Sequence, residues 1–286
     1  MALSKKRENM KVVFGTVHGE DVNGWFFHST VALTSWVRRH SADPSLPEYI
    51  NLDDYTFCRS GPAMAMGRGH LIGTFLEKTD GDALIMVDSD MAFIPQTIVE
   101  MVHLFEKMRE DDPTVGILGG LAFISNDPRV IMPRPTLWMD DPIQPGMIKA
   151  VNGYNPNTLY EVAATGGACV IIHREVLEKV VKDGNPFHHV NLVNYPMVAR
   201  SVAQMTDPDE IAPYLQSHVD NADQLGEDIS FCRRVKKAGY RIFVHTGLKF
   251  DHAKSTLIGE PEFIEAINRQ IAQEAIHKNN PQEGTK

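Results

Sequence analysis

The chain has little cysteine, no long apolar run and no surplus of positive charge. Only Cys58, Cys169 and Cys232 occur in 286 residues, an odd number without the paired spacing of a metal site. That excludes a disulfide-stapled scaffold; the three read as reduced, small core residues of a cytoplasmic protein. No apolar stretch approaches the ~18 residues of a membrane span. Lys5, Lys6 and Arg7 precede only Val12, Val13 and Phe14, too short for the apolar centre of a signal peptide. Lysine and arginine number 28 against 37 acids, a net charge of −9 at pH 7. Such a chain has no overall electrostatic footprint for duplex nucleic acid or anionic membrane. The Gly-x-Gly-x-x-Gly fingerprint and the Walker A sequence are both missing, so neither a dinucleotide fold nor a phosphate loop is supported.

What is present centres on Ala83-Leu84-Ile85-Met86-Val87-Asp88-Ser89-Asp90. Five apolar residues run into two carboxylates one residue apart. The run reads as a strand buried on both faces, as in a parallel sheet. Ligands of open α/β sheets bind beyond the carboxyl ends of the strands. Alternate residues of an extended chain share a side, so Asp88 and Asp90 can lean toward one point. Two like charges held that close need a raised pKa or a cation between them. Mg²⁺ or Mn²⁺, hard ions with oxygen ligands, fit that need and can in turn hold a diphosphate. The plainer alternative is a surface turn, because Asp and Ser are ordinary turn residues.

Around this centre the pattern alternates. Lys11 to Val17 reads as a first strand, followed by a loop at His18 to Asp21. Trp25 to His40 has helical spacing, with Trp25, Phe26, Leu33, Trp36 and Val37 as core candidates. Tyr49 to Asp53 reads as a short strand and Pro62 to Lys78 as a helix with Pro near its first turn. Arg68 lies inside that helix between Gly67 and Gly69. Glycine in a helix interior costs about 1 kcal/mol relative to Ala, so close approach is the expected reason. Pro95 to Glu110 is an amphipathic helix and Val115 to Leu118 a buried strand. Strand and helix in alternation predict an α/β sheet with mostly parallel strands, flanked by helices.

From Gly120 to Tyr160 the periodicity stops. Pro128, Pro133, Pro135, Pro142, Pro145 and Pro156 rule out a long helix there. The segment reads as loops or β-ribbon over the site, with Trp138 as a buried anchor. Val162 to Ile172 resumes the sheet, and Gly166-Gly167 marks a close backbone approach. Arg174 to Val181 reads as a short helix. Asp183 to Asn221 reads as irregular, its His188, His189 and His218 as structural or exposed. Gly226 to Tyr240 is a helix opening on Glu227 and Asp228, closing on bases and capped by Gly239. Dipole complementarity alone would explain both acids. Arg241 to His245 is a last strand, His252 follows it, and Pro261 to His277 is a closing amphipathic helix.

Three signals now stand in order: the strand ending in Asp88-Ser89-Asp90, the helix start at Gly226-Glu227-Asp228, and His252. This set resembles the nucleotide-sugar glycosyltransferases of the GT-A fold, in particular glycosyltransferase family 2 and its bacterial and phage relatives. The resemblance runs from about Lys11 to His252. It implies a GT-A-like, Rossmann-type sheet in one domain over residues 11–277, while the polar ends read as a flexible start (1–10) and a disordered tail (278–286). The nucleotide part would cover about 11–120 and the acceptor part about 121–255. It further implies that Asp88 contacts the nucleoside and that Asp90 and His252 ligate Mn²⁺ or Mg²⁺. Arg68 would support the donor diphosphate, Thr16 and His18 would line the nucleotide pocket, and Gly166 and Gly167 would lie beside the donor. Asp228 matches the carboxylate that takes the acceptor's proton in inverting members. The donor expected from the family is a UDP-sugar; the acceptor is an unspecified sugar, lipid or protein hydroxyl. The Gln-x-x-Arg-Trp pattern of processive synthases is absent, which argues against polymer export.

Two rivals stand beside this reading. A sugar-nucleotide-forming nucleotidyltransferase would carry a basic, Gly-rich loop after the first strand, whereas Val17-His18-Gly19-Glu20-Asp21 is acidic. A non-catalytic binding module on a transferase fold would not need Asp88, Asp90, Asp228 and His252 together.

Overall fold

The computed structural model describes residues 10–19, 22–40, 51–59, 64–124, 133–144, 147–188, 191–192, 200–220, 223–224, 226–253 and 257–279. Its spine is a sheet built from β1 (Lys11–His18), β2 (Asn51–Arg59), β3 (Ala83–Asp88), β5 (Val115–Ile124), β11 (Cys169–His173), β14 (Arg241–Ala253) and β15 (Leu257–Ile258). Shorter strands complete the set: β4 (Met91–Ala92), β6 (Arg134–Pro135), β7 (Leu137–Asp140), β8 (Ile148–Ala150), β9 (Leu159–Glu161), β10 (Ala164–Thr165), β12 (Asn191–Leu192) and β13 (Asp223–Gln224). The order across the main sheet is β15-β14-β5-β11-β3-β1-β2. β1 runs parallel to β2 and β3, and β14 runs parallel to β5. β11 lies antiparallel between β3 and β5. Five strands therefore share one direction, and His18, Asp88 and the end of β14 emerge at the same edge. The expected α/β architecture, a mostly parallel sheet flanked by helices, is present.

Period-two side-chain alternation divides the strands between two cores. Val13, Val17, Leu84, Met86 and Ile117 face one cluster. It is covered by α2 (Met64–Lys78), α4 (Arg174–Val180) and the helix Glu227–Lys237, through residues such as Phe75, Leu177 and Val235. Val12, Phe14, Ile85, Val87 and Leu118 face the other, under α1 (Gly24–His40) and α3 (Pro95–Asp111). Ala83 to Val87 are all fully buried, as a strand with helices on both sides must be. Each large side chain so buried contributes about 1.5–3 kcal/mol.

Several expectations shift. The second strand runs to Arg59, while Tyr49 and Ile50 lie outside the described residues, as do Pro62, residues 1–9 and residues 280–286. Trp25 is 55% exposed: Phe26, Ser29 and Leu33 define the inner stripe of α1, and Trp25 points off it. In α2 the buried stripe takes Gly67 and Arg68 and leaves Met66 exposed. β5 continues to Ile124, past the expected limit at Leu118. Of the proline-rich segment the described residues include β-ribbon, one of its two expected forms, with β7 between β8 and the later β10, while residues 125–132 and 145–146 lie outside the described part. Trp138 in β7 is half-buried against the core. The segment from Asp183 contains a helix, Pro208–Asp220, despite Pro213 inside it. Asp207 Oδ1 accepts the Asp209 N–H at its start. His188 is exposed; His189 and the His218 side chain lie outside the described part. Cys169 and Cys232 are buried free thiols, and burial pushes Cys232 up to about 12, so both stay protonated. The Cys58 side chain is not among those described. No helix among the described residues is long and apolar enough to cross a membrane.

The last strand is the largest departure. It was expected to end at His245 but runs to Ala253. Its pairing with β5 slips between His245 and Lys249. Buried Thr246 anchors the slip by donating toward the carbonyls of Asn155 and Thr158. At Gly120 a Cβ would sit 2.2 Å from the Phe250 ring, so only glycine lets the resumed strand cross here. After the slip, Asp251 and His252 pair with Ala92 and Met91 of β4. The irregularity thus delivers His252 to the turn carrying Asp90.

Candidate active site

β3 ends at Asp88, and Ser89-Asp90 form a turn, so strand alternation does not continue through the carboxylate pair. The two acids part company. Asp90 Oδ2 lies 2.7 Å from His252 Nε2. The Ala253 N–H donates to the Asp90 carbonyl at 2.7 Å, which locks the turn against β14. His252 Nδ1 faces the Phe123 carbonyl at 3.3 Å. At 2.7 Å the Nε2–Asp90 contact needs a proton between the two atoms, and a divalent ion bound there would take that proton's place, with Nδ1 held by the Phe123 carbonyl. Asp90 and His252 are the residues here that could hold a divalent ion, as two ligands. Among the described residues no group of three or more His, Cys, Asp or Glu is placed to hold a metal. The remaining positions of an octahedral shell would fall to water and to a ligand's own oxygens.

Asp88 turns the other way, to Arg68. Arg68 Nη2 donates to both Asp88 carboxylate oxygens at 2.9 Å. Arg68 Nη1 donates to Glu227 Oε1 at 3.2 Å and to Asp228 Oδ1. The guanidinium lies over the Phe187 ring at 5.6 Å, and Phe187 stacks on Phe231 with centroids 4.6 Å apart. The Arg68 side chain is 3% exposed, against 21% for Asp88 and 27% for each of Glu227 and Asp228. Its Nε has no hydrogen-bond partner among the described residues. Burial works against the charge on Arg68, and the carboxylates of Asp88 and Asp228 overcome it, raising its pKa. Removing one partner of a buried ion pair leaves an uncompensated charge, at a cost of about 3–5 kcal/mol.

Asp228 is pushed up from the ordinary carboxylate range, first by loss of water and then by Asp88. Arg68 and the Gly167 N–H pull it back without cancelling that rise. Gly167 is glycine for steric reasons. A Cβ there would stand 2.5 Å from Arg68 Nη2 and 2.6 Å from Asp228 Oδ1. At Gly166 a Cβ would meet Thr136 at 3.2 Å, a looser fit.

Thr16 is fully buried and donates to the Val87 carbonyl at 2.7 Å, stitching β1 to β3 just before Asp88. Thr16 and His18 line a cleft of about 380 Å³ with Phe26, Phe27 and Thr30 of α1. The structure thus groups Arg68, Asp88, Gly167 and Asp228 in one contact cluster, Asp90 with His252 in a second, and Thr16 with His18 in a cleft at the same sheet edge. Two members escaped sequence reasoning. Glu227 had a complete explanation in the helix dipole, and Phe187 sat in a segment without periodicity. The run Gly184-Asn185-Pro186 offered a turn signal before it, and Asn185 does order the segment, donating to the Ala65 carbonyl and accepting the Phe187 N–H.

No protein-family model matches the sequence, and neither does any curated protein. Among solved structures the chain is similar to A197 from STIV, with 16% identity over 86% of each chain and a TM-score of 0.46. It is similar to the CMP:2-keto-3-deoxy-manno-octonic acid synthetase complexed with CTP, with 14% identity over 92% of this chain and 99% of that one, at a TM-score of 0.37. It is also similar to GalNAc-T7 with UDP, GalNAc and Mn²⁺, with 11% identity, a TM-score of 0.44 and 83% of this chain covering 42% of that one. At these values the function has to be sought in the chain's own residues.

Proposed function

We propose that the protein is a metal-dependent glycosyltransferase of GT-A type that moves a sugar from a nucleotide-diphosphate sugar, preferentially a UDP-sugar, to a hydroxyl acceptor with inversion. The supporting observation is that the Asp90–His252 pair and the Arg68-bound Asp228 both lie where β3 ends, at one edge of the sheet. The first suits a divalent ion, Mn²⁺ or Mg²⁺, that shares its shell with a diphosphate. The second offers a carboxylate with a raised affinity for a proton and 27% exposure, enough to meet an acceptor.

In this reading the cleft beside Thr16 and His18 takes the nucleoside, and Asp88 faces its ribose. Asp90 and His252 hold the ion, which when bound supplies Lewis-acid neutralisation of the departing diphosphate. Asp228 accepts the proton of the acceptor hydroxyl as that oxygen attacks the anomeric carbon. General-base help of this kind is worth about 10²–10⁴-fold, and holding donor and acceptor in line supplies a further share.

The test is thermal shift of the full chain with UDP, GDP and CTP, each with and without Mn²⁺. Stabilisation by UDP that requires Mn²⁺ is the expected result. Stabilisation by CTP alone would replace this reading with nucleotidyl transfer. No stabilisation by any of the three would reduce the protein to a binding module for something else.

A further inference from the structure

Arg68 is the least exposed charged side chain of the site, and among the described residues carboxylates engage both of its Nη atoms, leaving only the buried Nε without a partner. Asp88 occupies Nη2 through both carboxylate oxygens, Glu227 and Asp228 occupy Nη1, and Phe187 covers one face of the guanidinium. Gly167 closes over Nη2 so tightly that a Cβ would lie 2.5 Å away. A guanidinium reaching for a phosphate would have to abandon three carboxylates and leave them facing one another. The three also come from different places in the chain. Asp88 ends β3, on the side proposed for the donor. Glu227 and Asp228 open a helix far along the sequence, on the side proposed for the acceptor. One rigid planar fork holds both sides, and a bidentate fork fixes direction as well as distance.

We infer that Arg68 is the positioning residue of this site: it fixes Asp228 in the orientation from which it acts and registers it against Asp88, without touching the donor itself. The inference rests on the proposed transferase reading, because it assigns Arg68 an effect that passes through Asp228. Gly167 is its second component, small so that the clamp can close and placed so that its N–H holds the same carboxylate. Among the described residues the charged groups acting on Asp228 are Arg68 from α2 and Asp88 from β3, and Glu227 shares the same guanidinium.

The experiment is a double-mutant cycle between Arg68→Lys and Asp228→Asn in the full chain. UDP-glucose, UDP-N-acetylglucosamine and GDP-mannose are offered in Mn²⁺, and the one hydrolysed fastest is used throughout. Lysine keeps the charge but cannot span Asp88 and Asp228 together. Arg68→Lys should lower kcat by about 10–100-fold and leave the donor KM within about two-fold, as loss of a transition-state arrangement does. In the Asp228→Asn background the same change should cost less than about two-fold, because residues acting as a unit are not additive. An equal loss in both backgrounds would overturn the inference. So would a raised donor KM with kcat kept, which would put the guanidinium on the diphosphate. A purely structural Arg68 would lower the melting temperature without this coupling. If Arg68→Lys does not fold, Gly167→Ala presses on both the guanidinium and the Asp228 carboxylate it holds, and the cycle is repeated with it: turnover that falls in the parent and not in the Asp228→Asn background is the expected result, and an equal fall in both overturns the inference. Turnover undiminished in Asp228→Asn alone, or no hydrolysis of any of the three donors, is a failure of the transferase reading itself and takes this inference with it.

Discussion

Lowering the pH should weaken the fold through His173, a residue remote from the proposed chemistry. His173 ends β11 and caps α4, its Nδ1 accepting the Glu175 N–H at 3.3 Å. That cap requires Nδ1 without a proton. Burial disfavours the imidazolium, and Arg109 adds to this; Glu175 and Asp82 oppose it and lose, so His173 falls from 6.5 to about 4. The side chain is only 16% exposed, so little of this is screened by solvent. The folded chain therefore binds the proton less readily than the unfolded chain. The contribution is complete above pH 6.5 and is lost as pH falls from 6.5 toward 4. With each pH unit worth about 1.4 kcal/mol, the loss amounts to roughly 2–3 kcal/mol. His173→Asn isolates it, since asparagine caps a helix well and does not titrate. Urea unfolding of both proteins at pH 7 and pH 4 gives the stability difference at each, and carboxylate effects common to both cancel. The wild-type advantage should shrink by about 2–3 kcal/mol at the lower pH. A difference that stays constant from pH 7 to 4 would refute the reasoning, because the imidazole would then titrate alike in both states.

Three further outcomes follow from the site and the sheet. Asp90→Ala should keep the fold and abolish the Mn²⁺-dependent part of UDP binding, read by calorimetry; unchanged binding would remove the Asp90–His252 pair from the metal. Asp228→Asn should fold and bind donor normally while losing about 10²-fold or more in turnover. Because Asp228 must be unprotonated to act and its pKa is raised, wild-type activity should fall away on acidification at a higher pH than an ordinary carboxylate would give, and a pH–rate profile reads this directly. Gly120→Ala should cost about 1–3 kcal/mol by overpacking against Phe250, measured by denaturant midpoint; a neutral result would mean that the slip in β14 adjusts more freely than its Thr246 anchor suggests.

The sequence alone determined the layered architecture. Five apolar residues before Asp88 read as a strand covered on both faces, and the spacing in the helices around it marked most of their buried sides, Trp25 excepted. It also singled out the residues that meet at the sheet edge, because carboxylates at strand and helix ends are visible as residue types. It could not supply their partners. Arg68 taken singly looks like any helix arginine, and Glu227 is already explained by the dipole of its own helix. Their meeting depends on contacts across 159 and 160 residues, which no local pattern encodes. The same holds for His252. Its delivery to Asp90 required a strand to slip at Thr246, cross Gly120 and resume, and a slip is set by packing against neighbouring strands rather than by period-two alternation. Alternation likewise suggested that Asp88 and Asp90 share a side. Tertiary structure decided otherwise by ending β3 at Asp88 and pairing β4 with β14, because a burial pattern reports which face is apolar but not where the hydrogen-bonded ladder stops.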